Sequence, residues 1–264
     1  MRMIVTGAAS GIGLATATLA AERFGDSAKL LVVDLSEDAL GDVAADLRAR
    51  GAEVEALAAD LRDEGVAERL IAKSVSAFGG LDAVISNAGI VGTGELATLG
   101  DDDYARMFDV NARPTWRLGK AARGELARSR GAIVATASIS SLYPTPPLGS
   151  YSASKAAQVM LVQQMALEWG PDGIRCNCVS PGPTYTGITA NAFNDADNPA
   201  HVANRERREA AIPLRKLGQP REVAEAILFL AGPGASHITG VNLVVDGGLS
   251  IALMPAVGGG SGHR

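Results

Sequence analysis

The chain has 264 residues, of which 47% are apolar and 20% are charged, and its formal net charge is −5 at pH 7. This composition excludes a disordered chain, and the length fits one large domain or two small ones. A pI of about 5.3 argues against a nucleic-acid-binding protein. No run reaches the roughly 18 apolar residues that a membrane helix needs, so no membrane association is expected.

Short apolar runs alternate with longer helical patterns along the chain. Most of the apolar runs lack polar alternation, which is typical of strands buried on both faces of a sheet. The predicted strands cover 3–5, 30–33, 54–57, 83–85, 132–136, 174–179 and 241–245, and the predicted helices lie near 12–25, 37–50, 63–78, 101–112, 114–128, 151–170 and 220–231. This order predicts an α/β fold: a single Rossmann-like doubly wound domain with about seven parallel strands and helices on both faces.

Two segments depart from the alternation. Residues 183–213 make a long connection, which we interpret as a substrate lid, and glycine-rich residues 258–264 are predicted to be a flexible tail. Residues 1–257 are then a single dinucleotide-binding and catalytic domain. The apolar residues Leu249, Ile251, Leu253 and Met254 follow the last predicted strand, and they either pack on their own subunit or reach a partner.

The N-terminus shows neither a basic leader nor a cleavage site, which predicts a cytoplasmic protein. Cys176 and Cys178 are the two cysteines of the sequence. Their spacing indicates neither a disulfide nor a metal site, and both are expected to be small buried residues.

A glycine-rich turn follows the first predicted strand and precedes a helix. Residues 6–13 read Thr-Gly-Ala-Ala-Ser-Gly-Ile-Gly. Gly7 permits a tight turn, Gly11 lets the backbone approach a pyrophosphate, and Gly13 lets helix and strand pack closely. Phosphates would lie at the positive end of the helix, so this turn predicts dinucleotide binding.

Asp34 ends the second predicted strand, about 20 residues after the glycine turn. A carboxylate at this point can accept hydrogen bonds from both ribose hydroxyls of adenosine and repels a 2′-phosphate. The glycine turn contains no Arg or Lys that could neutralise such a phosphate. We therefore expect NAD rather than NADP.

Tyr151 and Lys155 are four residues apart and so share one face of a predicted helix. A free phenol has a pKa of about 10, and a neighbouring ammonium lowers that pKa toward the range useful for proton transfer. The three histidines, His201, His237 and His263, are isolated in the sequence and are more typical of surface residues.

At this point the chain resembles the short-chain dehydrogenase/reductase family, from residue 3 to residue 248. Ser138 stands 13 residues before Tyr151, as in the family pattern, whereas Ser86 stands where the family usually has Asn. The resemblance rests on motifs in the family's order: residues 6–13, Asp60, Ser86-Asn87-Ala88-Gly89, Asn111, Ser138, Tyr151-x-x-x-Lys155, Pro181-Gly182 and Asp246-Gly247-Gly248.

The resemblance implies the roles of the site residues. Tyr151 would be the general acid/base, Lys155 would lower its pKa and hold the nicotinamide ribose, and Ser138 would hydrogen-bond the substrate oxygen. Asn111 would position a water in a proton relay. With the glycine turn and Asp34, the expected cofactor contacts are Gly7, Ser10, Gly11, Ile12, Gly13, Asp34, Leu35, Asp60, Leu61, Asn87, Ala88, Gly89, Tyr151, Lys155, Pro181, Gly182, Thr184 and Thr186. The resemblance also implies a homotetramer, with helices near 101–128 and 151–170 forming one interface.

The residues expected around the substrate are mainly apolar, and no basic group is obviously placed to hold a carboxylate or phosphate; Arg113 is expected to be solvated. The predicted substrate contacts are Ser138, Ser140, Tyr143, Leu148, Ile188 and Phe193. This favours a medium-sized alcohol or ketone with an apolar body.

Two other functions stay open. One is an NADPH-dependent ketoreductase of the 3-oxoacyl-carrier-protein type, against which Asp34 argues. The other is a non-catalytic nucleotide-binding protein, because fold does not fix function. The intact set of Asn111, Ser138, Tyr151 and Lys155 argues against this second alternative.

Overall fold

The computed structural model describes residues 1–193 and 195–252. Its strands form one seven-stranded parallel sheet in the order β3-β2-β1-β4-β5-β6-β7. The strands are β1 (Arg2–Thr6), β2 (Lys29–Asp34), β3 (Glu53–Ala58), β4 (Ala83–Ser86), β5 (Ala132–Thr136), β6 (Arg175–Pro181) and β7 (Asn242–Val245). The predicted fold class is confirmed.

Helices cover both faces of this sheet. They are α1 (Gly11–Phe24), α2 (Glu37–Ala49), α3 (Val66–Phe78), α4 (Asp101–Asn111), α5 (Arg113–Ser129), α6 (Tyr151–Trp169), α7 (Ala190–Phe193), α8 (Pro199–Ala211) and α9 (Pro220–Ala231). One core packs α1, α2 and α9 against the sheet, and the other packs α3, α5 and α6 against the opposite face. Every residue of β4 and β5 is buried, which explains why these strands read as unbroken apolar runs.

Local chemistry fixes where helices begin. The Ser36 side chain accepts a hydrogen bond from the Ala39 N–H at the start of α2. At the start of α9 the backbone N–H of Gln219 donates to the Glu222 carboxylate at 2.8 Å, and Pro220 occupies the first turn. These contacts satisfy backbone groups that a helix leaves unpaired at its ends.

The lid predicted over 183–213 contains two helices, α7 and α8, that the sequence patterns did not predict. None of the described residues of α8 is buried, so the segment lacks the apolar stripe by which a helix is recognised. A small separate core of Phe193, Ile212 and Leu217 holds the lid together. The predicted tail, together with Leu253 and Met254, lies outside the described residues.

The order of the strands creates a site at one edge of the sheet. The chain runs outward from β1 to β2 and β3, and then crosses back so that β4 lies on the other side of β1. Loops at the carboxyl ends of strands diverge at such a point and leave a crevice, which is where open α/β sheets bind ligands. Among the described residues, no helix is long and apolar enough to span a membrane.

Candidate active site

A cavity of about 470 Å³ opens along the carboxyl edge of the sheet. Its walls come from the loops that follow β1, β2, β3, β4, β5 and β6, with Tyr151 and Lys155 contributed by α6. The cavity brings together Ser138, Tyr151 and Lys155 of the predicted catalytic set. It is also lined by seventeen of the eighteen predicted cofactor contacts, Gly13 being the exception.

The glycine turn has the geometry that its sequence predicts. Gly7 and Gly11 adopt positive φ angles of 66° and 54°, where side chains are disfavoured. A Cβ on Gly13 would lie 2.0 Å from the Gly7 carbonyl oxygen, so Gly13 packs behind the turn and does not face the cavity. Ser10 begins α1 without a side-chain cap, which leaves the N–H groups of the first helical turn to other acceptors.

Asp34 faces this turn from the end of β2. One of its carboxylate oxygens accepts from the Ala9 N–H at 2.9 Å and the other from the Leu35 N–H at 2.7 Å. These two bonds fix the carboxylate at the cavity wall and leave lone pairs on both oxygens for further donors.

Two arginines line the cavity that sequence reasoning missed. Arg62 encloses the Asp60 carboxylate, with its Nη2 at 2.5 Å from Oδ2, and thereby lowers the pKa of Asp60. Arg106 lies one helical turn before Val110 on α4 and pairs with Asp103 at 3.3 Å. Basic groups thus reach the cavity wall, but each of these two is already paired with an aspartate. Arg113 pairs with Asp109 at 2.8 Å and is half exposed, as expected.

Tyr151 and Ser138 converge at the middle of the cavity, where their hydroxyl groups are hydrogen-bonded. Burial raises the pKa of Tyr151, and the Ser138 hydrogen bond opposes this effect without cancelling it. The expected lowering of the Tyr151 pKa is thus not found, because removal of the phenolate from water has the larger effect. Tyr151 is a protonated phenol in this structure at neutral pH.

Lys155 is 4% exposed, and its Nζ donates to the Thr136 carbonyl at 2.8 Å and to Gln158 Oε1 at 3.0 Å. Burial lowers the pKa of Lys155 to about 8. Neither partner is charged, so the ammonium is held by dipoles rather than by an ion pair. Sequence reasoning missed Gln158, although its position three residues after Lys155 on the same helix is a signal that could have found it.

Asn111 is buried and holds the loop after β4 against the catalytic helix. Its Oδ1 accepts from the Ile90 N–H at 2.8 Å, and its Nδ2 donates to the Ile90 carbonyl at 3.0 Å and to Ser154 Oγ at 3.1 Å. The side-chain amide is committed to these three bonds. In this structure Asn111 holds Ile90, which lines the cavity, and the water-positioning role remains an expectation.

The described residues fit a bound dinucleotide. Thr136 lines the cavity, and its buried hydroxyl has no hydrogen-bond partner in the described part of the chain. A Cβ on Gly89 would lie 3.0 Å from Asn111 Oδ1 and 3.4 Å from Lys155 Nζ. Glycine at this position keeps open the space beside the ammonium.

The substrate end departs most from prediction. Ile188 lines the cavity, as does Ser138, but the other four predicted contacts lie elsewhere. Phe193 is 1% exposed and packs edge-on against Tyr185 inside the lid, so it is corrected to a packing residue. Ser140 Oγ is 2.8 Å from Thr145 Oγ1, Tyr143 is 51% exposed, and Leu148 forms a bridge with Gly94.

Comparisons with known proteins agree with this site. A family model described as enoyl-(acyl carrier protein) reductase matches residues 7–250. The chain is 34% identical over 252 residues to 2,3-dihydro-2,3-dihydroxybenzoate dehydrogenase of Bacillus subtilis, with 94% of this chain and 95% of that protein covered. It is 36% identical over 253 residues to an L-rhamnose 1-dehydrogenase (NAD(P)(+)) of Sphingomonas sp., with 95% and 96% covered.

The fold also matches solved structures. A short-chain type dehydrogenase/reductase from Mycobacterium marinum superposes with a TM-score of 0.84 at 30% sequence identity, and the match covers 94% of each chain. The residues that the family model matches include every residue that lines the cavity.

Proposed function

The chain belongs to the short-chain dehydrogenase/reductase family, and we propose that it interconverts a secondary alcohol and a ketone with NAD as the cofactor. The observation that carries this proposal is the convergence of the Ser138 and Tyr151 hydroxyls and the buried Lys155 ammonium in one cavity. Both curated relatives are named as dehydrogenases, one of a dihydroxylated compound and one of a sugar. These names support alcohol chemistry.

The proposed reaction divides the work between cofactor and protein. Bound nicotinamide supplies the hydride in reduction and accepts it in oxidation. In reduction, the Tyr151 hydroxyl gives its proton to the carbonyl oxygen as negative charge develops there, and the Ser138 hydroxyl donates to the same oxygen. The Lys155 ammonium stabilises the phenolate left on Tyr151. In oxidation, the proton of the alcohol returns to that phenolate.

The raised pKa of Tyr151 suits the reductive direction. A phenol that is already protonated at neutral pH needs no prior proton uptake to act as an acid. As a base it needs a cation close by, which is the role that we propose for Lys155. Because the pKa of Lys155 is about 8, the ammonium is the dominant form at neutral pH.

NAD is proposed over NADP because Asp34 faces the glycine turn. A carboxylate there accepts ribose hydroxyls and repels a 2′-phosphate. Arg62 and Arg106 are each paired with an aspartate, so neither is a free cation that could bind a 2′-phosphate. We propose that the first turn of α1 holds the diphosphate, that Asp60, Leu61 and Asn87–Gly89 contact the adenosine side, and that Lys155, Pro181-Gly182, Thr184 and Thr186 contact the nicotinamide side.

A second candidate is reduction of the keto group of a 3-oxoacyl chain bound to a carrier protein. The description of the family model, which names a carrier-linked enoyl chain, favours a carrier-linked substrate. This reaction would use the same hydroxyl pair. It differs in its cofactor, for which we expect NADPH, and in its substrate, which would enter as a long thioester.

A homotetramer is also proposed. Helices α5 and α6 expose Trp116, Met160 and Leu167, which are 43%, 64% and 80% exposed in the single chain. Apolar side chains that recur on neighbouring helices are typical of a surface covered by another subunit.

A panel of secondary alcohols and ketones, offered with NAD(H) and NADP(H) and followed by cofactor absorbance, tests the function. We expect turnover of medium-sized apolar or cyclic substrates with NAD(H). Turnover confined to carrier-linked or thioester substrates with NADPH would establish the second candidate instead. Tight dinucleotide binding without turnover of any substrate would indicate a non-catalytic protein.

A further inference from the structure

A buried chain of polar side chains leads away from Lys155 toward the centre of the sheet. Lys155 Nζ donates to Gln158 Oε1 at 3.0 Å, and Gln158 Nε2 donates to Thr115 Oγ1 at 2.8 Å. Thr115 Oγ1 is in turn 2.8 Å from Ser86 Oγ. Gln158 and Thr115 are each 1% exposed, and Ser86 is 3% exposed. Three elements, β4, α5 and α6, therefore contribute to one hydrogen-bonded row.

The orientation of the Gln158 amide follows from the ammonium. An ammonium only donates, so the carbonyl oxygen of the Gln158 amide must face Lys155 and its NH₂ group must face Thr115. Thr115 Oγ1 accepts that N–H, and it is hydrogen-bonded to Ser86 Oγ with either hydroxyl able to donate. Reversing the amide would bring two donors together at Lys155 and leave a buried charge without its partner.

This row also accounts for the serine at position 86. A hydroxyl there can accept from Thr115 in the small space between β4 and α5. The departure from the family's usual Asn, noted in the sequence, thus coincides with the far end of the row. Of the three N–H groups on the ammonium, the Thr136 carbonyl and Gln158 take two, and one remains for the cavity.

We propose that Gln158 is a positioning residue for the reaction: it fixes the Lys155 ammonium so that one N–H points into the cavity, and Thr115 and Ser86 fix the orientation of its amide. The inference rests on the role proposed above for Lys155. A lysine side chain has many rotamers, and a single acceptor at Thr136 would leave its end free to turn. Two acceptors on different elements hold it in one place.

Few titratable groups face Lys155. A change in its pKa in a Gln158 variant can therefore be attributed to the loss or change of the Gln158 side chain. Cys178 of β6 lies against it, but burial raises the pKa of this thiol to about 12, so it stays neutral. Tyr151, one turn earlier on α6, shares the cavity wall with Lys155 and is a neutral phenol. The other neighbours carry no charge. They are Ser86 of β4, Thr115 of α5 and the Thr136 carbonyl of β5.

The test measures the titration of Lys155 directly. Lysine residues carrying ¹³C at the ε position are followed by NMR from pH 6 upward in wild type, Gln158→Met and Gln158→Glu, and Lys155→Met identifies the resonance. In Gln158→Met the ammonium loses an acceptor, so we expect the midpoint to fall by about one pH unit, or about tenfold weaker proton binding. In Gln158→Glu a carboxylate faces the ammonium, so the midpoint rises.

Both substitutions keep the length of the side chain, and Gln158→Glu keeps its hydrogen-bonded neighbours paired. In Gln158→Glu the Thr115 hydroxyl can turn to donate to the carboxylate, and Ser86 can then donate to Thr115, because hydroxyls act in either sense. Gln163→Met on the same helix is the matched control. Gln163 donates to the Gly240 carbonyl and has no contact with the row, so its replacement leaves the Lys155 midpoint unchanged.

Kinetics give a second, separable readout. We expect kcat to fall about tenfold in Gln158→Met, with the alkaline limb of its pH profile shifted to lower pH, while ADP binds as in wild type. We expect Thr115→Val to lower kcat and to shift the alkaline limb of the pH profile to lower pH, each by less than Gln158→Met does. Equal midpoints in wild type and both Gln158 variants, or shifts of the same sign in the two variants, would overturn the inference. Opposite shifts without turnover of any alcohol or ketone support it and refute the proposed function instead.

Discussion

The two ends of the cavity are built differently. The end near β1 and β2 is made mainly of backbone, namely a glycine turn and the first turn of α1, together with the Asp34 carboxylate that two backbone N–H groups hold. The end under the lid is made of side chains on short elements, and its small core of Phe193, Ile212 and Leu217 is separate from the two main cores. The first end is fixed by the sheet, and the second depends on how a few side chains pack.

This difference has a functional meaning. A cofactor shared by a whole family can be bound by groups that every chain of this fold possesses, namely backbone N–H groups and a helix terminus. A substrate particular to one enzyme must be recognised by side chains that can vary without disturbing the sheet. The catalytic residues lie between the two ends, on α6 and after β5.

Replacing Tyr151 by Phe gives the largest expected effect, because it removes the proton and leaves both ends intact. We expect kcat to fall by about 10³-fold, within the range for loss of a general acid. NADH binding, measured by fluorescence, stays close to that of wild type. A kcat within tenfold of wild type would remove Tyr151 from the mechanism.

Gly13→Ala tests the end of the cavity near β1 and β2. The added methyl would lie 2.0 Å from the Gly7 carbonyl oxygen and 2.6 Å from Asn87 Nδ2, so the turn must shift. We expect a loss of about 3 kcal/mol in the free energy of unfolding, measured with urea, together with weaker NADH binding. Gly41→Ala is the control: Gly41 lies within α2 with open space around it, so alanine there stabilises the protein by about 0.5–1 kcal/mol.

Asp34→Ala tests the selectivity of the same end. Removing a carboxylate that accepts ribose hydroxyls and repels a 2′-phosphate is expected to narrow the preference for NAD over NADP by about tenfold to a hundredfold in kcat/KM. Asp38→Ala makes the same change in net charge on the exposed face of α2 and leaves the ratio as it was. Equal ratios in wild type and Asp34→Ala would contradict the ribose contact.

The lid end gives the smallest expected effect. Ile188 is 53% exposed and lines the cavity, so Ile188→Ala is expected to raise KM for bulky apolar ketones by about fivefold, the loss of a partly exposed apolar contact. Leu214→Ala removes a similar side chain that is 67% exposed and lies outside the lining. If both variants raise KM equally, loosening of the lid rather than contact with substrate is the cause.

The sheet and the cofactor end could be predicted because their signals are local. Strand runs, helix caps and the glycine turn each depend on neighbours in the chain, and so does Asp34 at the end of β2. Gln158 lies three residues after Lys155 on α6, but its bond to Thr115 on α5 could not be predicted, because that bond joins different elements of the fold.

Burial explains the remaining differences. The sign of the Tyr151 pKa shift depends on how far the phenol is removed from water, which a motif does not report. Phe193 reads as a pocket residue in a long connection, yet it lies inside the lid against Tyr185. Arg106 belongs to a helix whose polar face happens to reach the cavity.

The cavity collects loops from the ends of six of the seven strands. A small molecule that contacts all of these loops is bound by the folded chain alone, since the unfolded chain cannot present them together. At a hundred times its dissociation constant such a molecule raises the free energy of unfolding by about 2.7 kcal/mol. Thermal melting of the unmodified protein can therefore rank nucleotides and small alcohols by affinity before any turnover has been detected.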